Sequence, residues 1–229
     1  MNTSAVGLLA NDARSFIWWD WIFRRPDEIW RRTVEHVQMT VAAVALGLAI
    51  STLLALLAVR YRWTYAPITW VANLLYTIPS LALFAVLIPY TGLGFRTALI
   101  PLVTYTILIL VRNIVAGIDG VPASVREAAD GMGYTRLRRL WSVELPLALP
   151  TIVAGIRIAS VTVIGLVTIT ALIGQGGYGA FINDGLNRQF PTPIVLGATL
   201  SVVLAVLVDA LLVVVERLLT PWRRRRGVL

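Results

Sequence analysis

No cysteine and no lysine occur among the 229 residues, and His36 is the single histidine. Each absence closes a class of chemistry. Without thiols the chain forms no disulfide, zinc–thiolate site, iron–sulfur cluster or thiol nucleophile. Without lysine it carries neither Schiff-base chemistry nor a standard Walker A loop, whose lysine holds the nucleotide phosphates. One histidine cannot supply a metal-binding pair. Charge is scarce as well: 14% of residues are charged, against about 25% in soluble domains. Hydrophobic residues make up 58%. So little polar surface cannot cover a soluble globule, and the composition points to an integral membrane protein. The net charge of +8 comes from arginines at the ends of apolar runs, which reads as membrane topology rather than nucleic-acid binding.

A membrane span takes about 20 apolar residues, because a ~30 Å hydrocarbon core is crossed at about 1.5 Å per residue. Five segments qualify. They are Val37–Val59, Ala66–Pro89 (interrupted by Pro79), Thr97–Val111 continuing to Ala116, a stretch within Leu145–Ile173, and Thr192–Val215. The positive-inside rule places Arg60, Arg62, Arg112, Arg126, Arg136, Arg138, Arg139, Arg217 and Arg223 to Arg226 on the cytoplasmic side, with only Arg96 and Arg188 in the outer loops. The N-terminal arm departs from the rule, since its Arg14, Arg24, Arg25, Arg31 and Arg32 would lie outside, interleaved with acidic residues. The expected organisation is an interfacial segment over 1–35, a transmembrane domain over 36–219 and a basic cytoplasmic tail over 220–229.

The arm carries Trp18, Trp19, Trp21 and Trp30 among other apolar residues. Trp rings favour the membrane interface, so Ser15–Phe23 reads as a helix lying on the bilayer, ended by Pro26. Such a helix needs lipid and no specific protein partner. Asp27 and Glu28 suit the first turn of the next helix. His36, at the mouth of the first span, reads as interfacial.

Between the third and fourth spans lies the most informative stretch, 118–150. Val121-Pro122-Ala123 opens it, and Ser124-x-x-Glu127 has the form of a capping box. Gly131 and Gly133 end that helix. A second short helix, Thr135–Val143, is expected to stop at Leu145-Pro146. The carboxylates Glu127, Asp130 and Glu144 have no nucleophile or metal partner near them in sequence. A small Ala-topped helix suits insertion into a partner's groove, or it simply caps the bundle.

This loop resembles the EAA-x3-G-x9-I-x-L-P signature of permease subunits of bacterial ABC importers. Glu127-Ala128-Ala129 is followed by three residues and Gly133, then after nine more by Val143 in the Ile position, Glu144, Leu145 and Pro146. The resemblance implies an all-α membrane protein with the type I ABC importer permease fold and five main transmembrane helices. It also implies that Ser124, Glu127, Ala128, Ala129, Gly133, Val143, Leu145 and Pro146 couple the chain to a separate ATP-binding subunit. This chain would then bind no cofactor, with ATP and magnesium held by the partner. The other implied partners are a second permease, identical or related, and an extracytoplasmic solute-binding protein, in a bacterial cytoplasmic membrane. From Glu35 onward the chain also resembles the osmoprotectant branch of that family, which imports glycine betaine, choline, carnitine or proline betaine. The residues concerned are Tyr76–Phe84, Arg112-Asn113, Val115–Gly117, Leu145–Pro150, Ala154–Arg157 and Ala171–Gly179. The Trp-rich arm and Gln189–Pro193 fall outside that likeness.

Other features stay open. Pro79 with Ser80 either breaks the second span, as helices lining a pathway often do, or merely kinks it. Tyr76, Tyr105 and Tyr178 either offer π faces to a quaternary ammonium or serve packing. Arg157 and Asp209 lie at similar depth, about 10 Å from the cytoplasmic side. They form a buried pair or reach the interface separately. Gly174–Gly179 matches G-x-G-x-x-G by letter but lacks the strand–helix context of a dinucleotide site. It reads as a tight turn, followed by a short outer helix over Ala180–Asn187. An amino-acid importer of the same fold and an ion-coupled transporter are the rival functions. The second calls for inverted repeats and acidic residues near the midplane, neither of which is evident.

Overall fold

The computed structural model describes residues 17–222. Ser15 and Phe16 of the expected interfacial helix, and most of the basic tail, lie outside them. Short α1 (Trp19–Phe23) leads into α2 (Pro26–Arg60). A 3₁₀ turn (Arg62–Thr64) precedes α3 (Tyr65–Thr77) and α4 (Ser80–Thr91). Then come α5 (Phe95–Asp119), the loop helices α6 (Ala123–Gly131) and α7 (Arg136–Arg139), and α8 (Leu145–Val167). A 3₁₀ segment (Thr168–Ile173), α9 (Gly179–Arg188) and α10 (Pro191–Leu219) complete the order.

Among the described residues, four helices are long and apolar enough to cross a membrane, and the bent pair α3–α4 makes a fifth crossing if counted as one. α5 is the spine. It packs on α2, α3, α4 and α8, and 56% of its apolar window is buried, against 6% for α10. Close packing comes from small residues. On α2, Ala43, Gly47, Ser51 and Ala55 recur every fourth position and are all buried. A Cβ on Gly47 would overlap Thr106 Oγ1 of α5. On the other side of α5, Gly117 faces Ala148 and Thr151 of α8, and Gly155 of α8 faces Asn113. In lipid, where burying apolar surface drives little, such close approach is a main source of helix association.

The second expected span is not one rod. α3 and α4 meet at 94°. Pro79 has no N–H to donate, and it holds Ile78 in an extended conformation (φ −67°, ψ 125°) that cannot continue a helix. The carbonyl groups freed there find new donors: Thr77 Oγ1 reaches Leu74 O at 2.7 Å, and the Tyr105 hydroxyl donates to Ile78 O.

Three local expectations are corrected. The interfacial helix spans only Trp19–Phe23 among the described residues, and it is not held by lipid alone. Trp18 N–H donates to Thr192 Oγ1 at 2.9 Å, and Trp21 meets Phe181 and Phe190 edge-on at 6.3 and 5.7 Å. Trp19 and Phe23 stay exposed. Second, the chain is not interrupted at Leu145-Pro146. A π turn over Leu140–Glu144 carries α7 straight into α8, and Pro146 sits in the first turn of α8. The wider turn absorbs the missing N–H and the ring clash that proline brings to a regular helix. Third, His36 is fully buried rather than interfacial.

Candidate functional site

The 120–144 loop is built on proline and glycine punctuation. Pro122, extended at ψ 141°, starts α6 by accepting hydrogen bonds from Val125 and Arg126 N–H at 3.1 and 3.3 Å. Ser124 therefore lies inside the first turn, and no side chain caps the helix. The expected capping box is not formed, because the start was set two residues earlier. At the other end Gly133 adopts φ +77°. Its N–H reaches Asp130 O at 2.9 Å, and Tyr134 N–H reaches Ala129 O at 3.1 Å. That pair of bonds is a Schellman closure, which requires a left-handed residue and so favours glycine.

A charged network bolts this helix to the base of α8. Glu144, 6% exposed, accepts from Arg139 Nε at 2.8 Å and lies 3.6 Å from Arg126 Nε. Arg139 also grips Asp130 at 2.6 Å. Arg126 Nη2 donates to the Ile118 carbonyl at 2.6 Å, tying α6 to the end of α5. Ala129 is buried, while Ser124, Glu127 and Ala128 are exposed. Val143, Leu145 and Pro146 are half-buried at the root of α8. Met132, Leu137 and Trp141 are 67%, 67% and 58% exposed. Sequence reading did not find the Arg126–Glu144–Arg139–Asp130 network. The only clue was the five-residue step from Arg139 to Glu144, which straddles the π turn.

The other singled-out residues separate into three places. Tyr76 and Tyr105 meet edge-to-face at 5.4 Å beside the elbow at Pro79 and Ser80. Tyr76 is exposed and Tyr105 buried. Tyr178 is elsewhere: it is buried with its ring 4.6 Å from that of His36, so it has no open face for a cation. Arg157 and Asp209 form a two-point ion pair between α8 and α10, at 2.7 and 2.8 Å, with Glu216 at 4.0 Å from the same guanidinium. The two charges do not reach the interface separately.

At the end of the bundle opposite the loop, the glycine turn is clasped by α2. Gly174 and Gly177 are left-handed (φ +77° and +76°). Glu35 accepts from Gly177 N–H at 2.9 Å. His36 Nδ1 accepts from Tyr178 N–H at 3.2 Å, and Nε2 faces Ile164 O at 3.1 Å. Both contacts are satisfied by the neutral ring protonated on Nε2. A Cβ on Gly176 would overlap the Glu35 carboxylate.

Residues 29–221 match the family described as binding-protein-dependent transport system inner membrane component. The choline transport system permease protein OpuBB of Bacillus subtilis is 38% identical over 194 residues, covering 85% of this chain and 89% of that protein. The glycine betaine/carnitine/choline transport system permease protein OpuCB of the same organism is 37% identical, with the same coverage. The osmoprotectant import permease protein OsmW of Salmonella typhimurium is 39% identical over 82% of this chain and 90% of that protein. An inward-facing structure of the MetNI methionine ABC transporter superposes with a TM-score of 0.72 at 24% identity, over 87% of this chain and 97% of that one. That last likeness is one of fold.

Proposed function

We propose, from the premise that this chain belongs to the family of binding-protein-dependent transport system inner membrane components, that it is the permease through which a quaternary-ammonium osmoprotectant enters the cell. The chain is a non-catalytic membrane subunit, and ATP hydrolysis belongs to a separate subunit. The solute class is supported by relatives named for choline, glycine betaine, carnitine and osmoprotectant transport at 37–39% identity over most of the chain. The single observation that carries the mechanism is the bolted loop helix. Its exposed Ser124, Glu127 and Ala128 face a docking ATP-binding subunit, and Ala129 and Gly133 fix its pose. Val143, Leu145 and Pro146 join that pose to α8.

The loop, the C-terminus and the basic tail lie on the cytoplasmic side of a bacterial inner membrane in this reading. A second permease, identical or related, supplies the other half of the pathway, and a solute-binding protein delivers cargo from outside. The arm's exposed Trp19 and Phe23 rest in lipid. ATP and magnesium sit on the partner, and this chain holds no cofactor. Closure of the ATP-binding subunits draws two loop helices together and shifts a two-state equilibrium toward the outward-open form. Pro79, Ser80 and Tyr76 line the path at the elbow, with the buried Tyr105 behind them. There the exposed Tyr76 ring offers a passing cation a weak π face.

The test is solute-stimulated ATPase activity of the reconstituted complex, screened over betaines, choline, carnitine and amino acids. Stimulation by quaternary ammonium solutes alone is expected. Gly133→Asp and Ala129→Glu should lose the co-purifying Walker A ATPase. Full transport in both variants contradicts the coupling role, and stimulation by amino acids alone contradicts the solute class.

A further inference from the structure

At the loop end of the bundle, a groove of about 310 Å³ lies between the last turns of α2 and the segment formed by α7 and the π turn. Its lining is of two kinds. Leu56 and Val59 of α2, with Leu137 and Leu140 opposite, are apolar, while Arg60 and Arg136 bring charge. Leu56 and Val59 belong to the hydrophobic run 37–59, so the groove begins at membrane depth. Arg60 ends α2 at the polar boundary. The charge is unbalanced. Glu144 and Arg139 also line the groove, but they are bonded to each other at 2.8 Å. Arg60 and Arg136 are exposed, and neither has a carboxylate partner among the described residues. Arg60 lays its guanidinium over the Tyr61 ring, 5.2 Å from the centroid. That contact uses the flat face of the group and leaves the N–H edge available.

An occupant has to match both halves. A free phosphate would answer the arginines and leave the leucines bare. An acidic protein segment would have to carry its backbone down to Leu56, where polar groups find no water. A phospholipid with a net negative headgroup meets both demands. Trp141, exposed on the π turn, is the residue type that settles at headgroup level. We propose that the groove holds one anionic phospholipid of the leaflet at the loop end, its phosphate on Arg60 and Arg136 and an acyl chain along Leu56 and Val59. So placed, the lipid ties the end of α2 to the segment that carries Arg139 and Glu144. The pose of the loop helix then depends on how much anionic lipid the membrane contains. The site requires that the chain span a membrane and is independent of which solute it moves.

The experiment takes the intact permease–ATPase complex from nanodiscs holding equal amounts of phosphatidylglycerol and phosphatidylethanolamine. Native mass spectrometry counts the lipids that stay bound. One phosphatidylglycerol per permease chain is expected to outlast the rest. Arg60→Gln combined with Arg136→Gln should weaken its retention about thirtyfold, from roughly fivefold per arginine at a membrane surface. Leu137→Glu keeps both arginines, sets a carboxylate in the groove and should abolish the preference. All three side chains are exposed, so neither variant opens a cavity or breaks an ion pair. Equal retention of the two lipids by the wild type overturns the proposal, as does an undiminished preference in either variant. Displacement of the lipid by inorganic phosphate would make the groove a soluble-anion site. Loss of the ATP-binding subunit from the double variant would make it a protein-docking surface. Either result also overturns the proposal. A complex that imports quaternary ammonium solutes without any lipid preference loses only the groove. One that keeps the lipid and imports none of those solutes loses only the functional reading.

Discussion

At the loop end, side chains hold side chains: Glu144 takes two arginines, and Arg139 reaches on to Asp130. At the opposite end, side chains hold backbone: Glu35 and His36 accept the N–H groups of Gly177 and Tyr178. The first fastening depends on charge balance and tolerates shape. The second depends on shape, because a carboxylate and an imidazole reach a backbone N–H only where no Cβ stands in the way. The loop helix, which the proposed function has another subunit push, is thus joined by long ion pairs. The part that keeps the glycine turn in place is joined by short, directional bonds to a fixed chain path.

The comparison can be broken in order of severity. Gly179→Ala is the harshest test of the shape-dependent end, since the added carbon would meet the Thr168 carbonyl. Thermal unfolding of the purified protein should show a loss of at least about 3 kcal/mol, or no folded protein, as overpacking against backbone does. Gly131→Ala, with open space around it, should be close to neutral. Next is Glu144→Gln, which leaves Arg126 and Arg139 without their shared anion. About 3 kcal/mol is expected, the penalty for breaking a largely buried ion pair by removing one partner. Transport should fall further than stability if the network transmits force. Equal losses in both would make it only a fastening.

Smaller still is Gly133→Ala, which meets no atom within 4 Å and pays only for its left-handed backbone, about 1 kcal/mol. Last is Ser124→Ala. With no cap to lose, its effect on the thermal midpoint should correspond to under about 0.5 kcal/mol. A larger loss would mean the hydroxyl caps α6 after all. A separate ordering concerns the ion pair between α8 and α10. Arg157→Gln should give less folded protein in the membrane than the double change Arg157→Gln with Asp209→Asn, because the single change strands a carboxylate among apolar helices.

The spans and the loop signature were legible because hydropathy and spacing are local properties of a chain. Gly133 could be named as a helix end, and Pro79 marked a discontinuity. The 94° angle could not be read, since it is set by what α4 packs against and by a phenol 27 residues away on α5. The capping-box pattern misled because Ser-x-x-Glu also fits the second to fifth positions of a helix that Pro122 has already begun. The clasp at Glu35 and His36 was invisible for a simpler reason. Its partners lie 142 residues downstream, and neither residue type nor position there announces a backbone contact.

One consequence follows from the way α5 is tethered. Its loop end is gripped by Arg126 at the Ile118 carbonyl and by Arg62 at Asp119, and its flank is zipped to α8 through Gly117 and Gly155. The elbow between α3 and α4 is tied to the same rod by the phenol of Tyr105, by Arg112 at Asn73 and by Thr97 at Thr91. In the proposed function, a push on the short helix is carried along a rod anchored at its loop end and along its flank, as a crankshaft is.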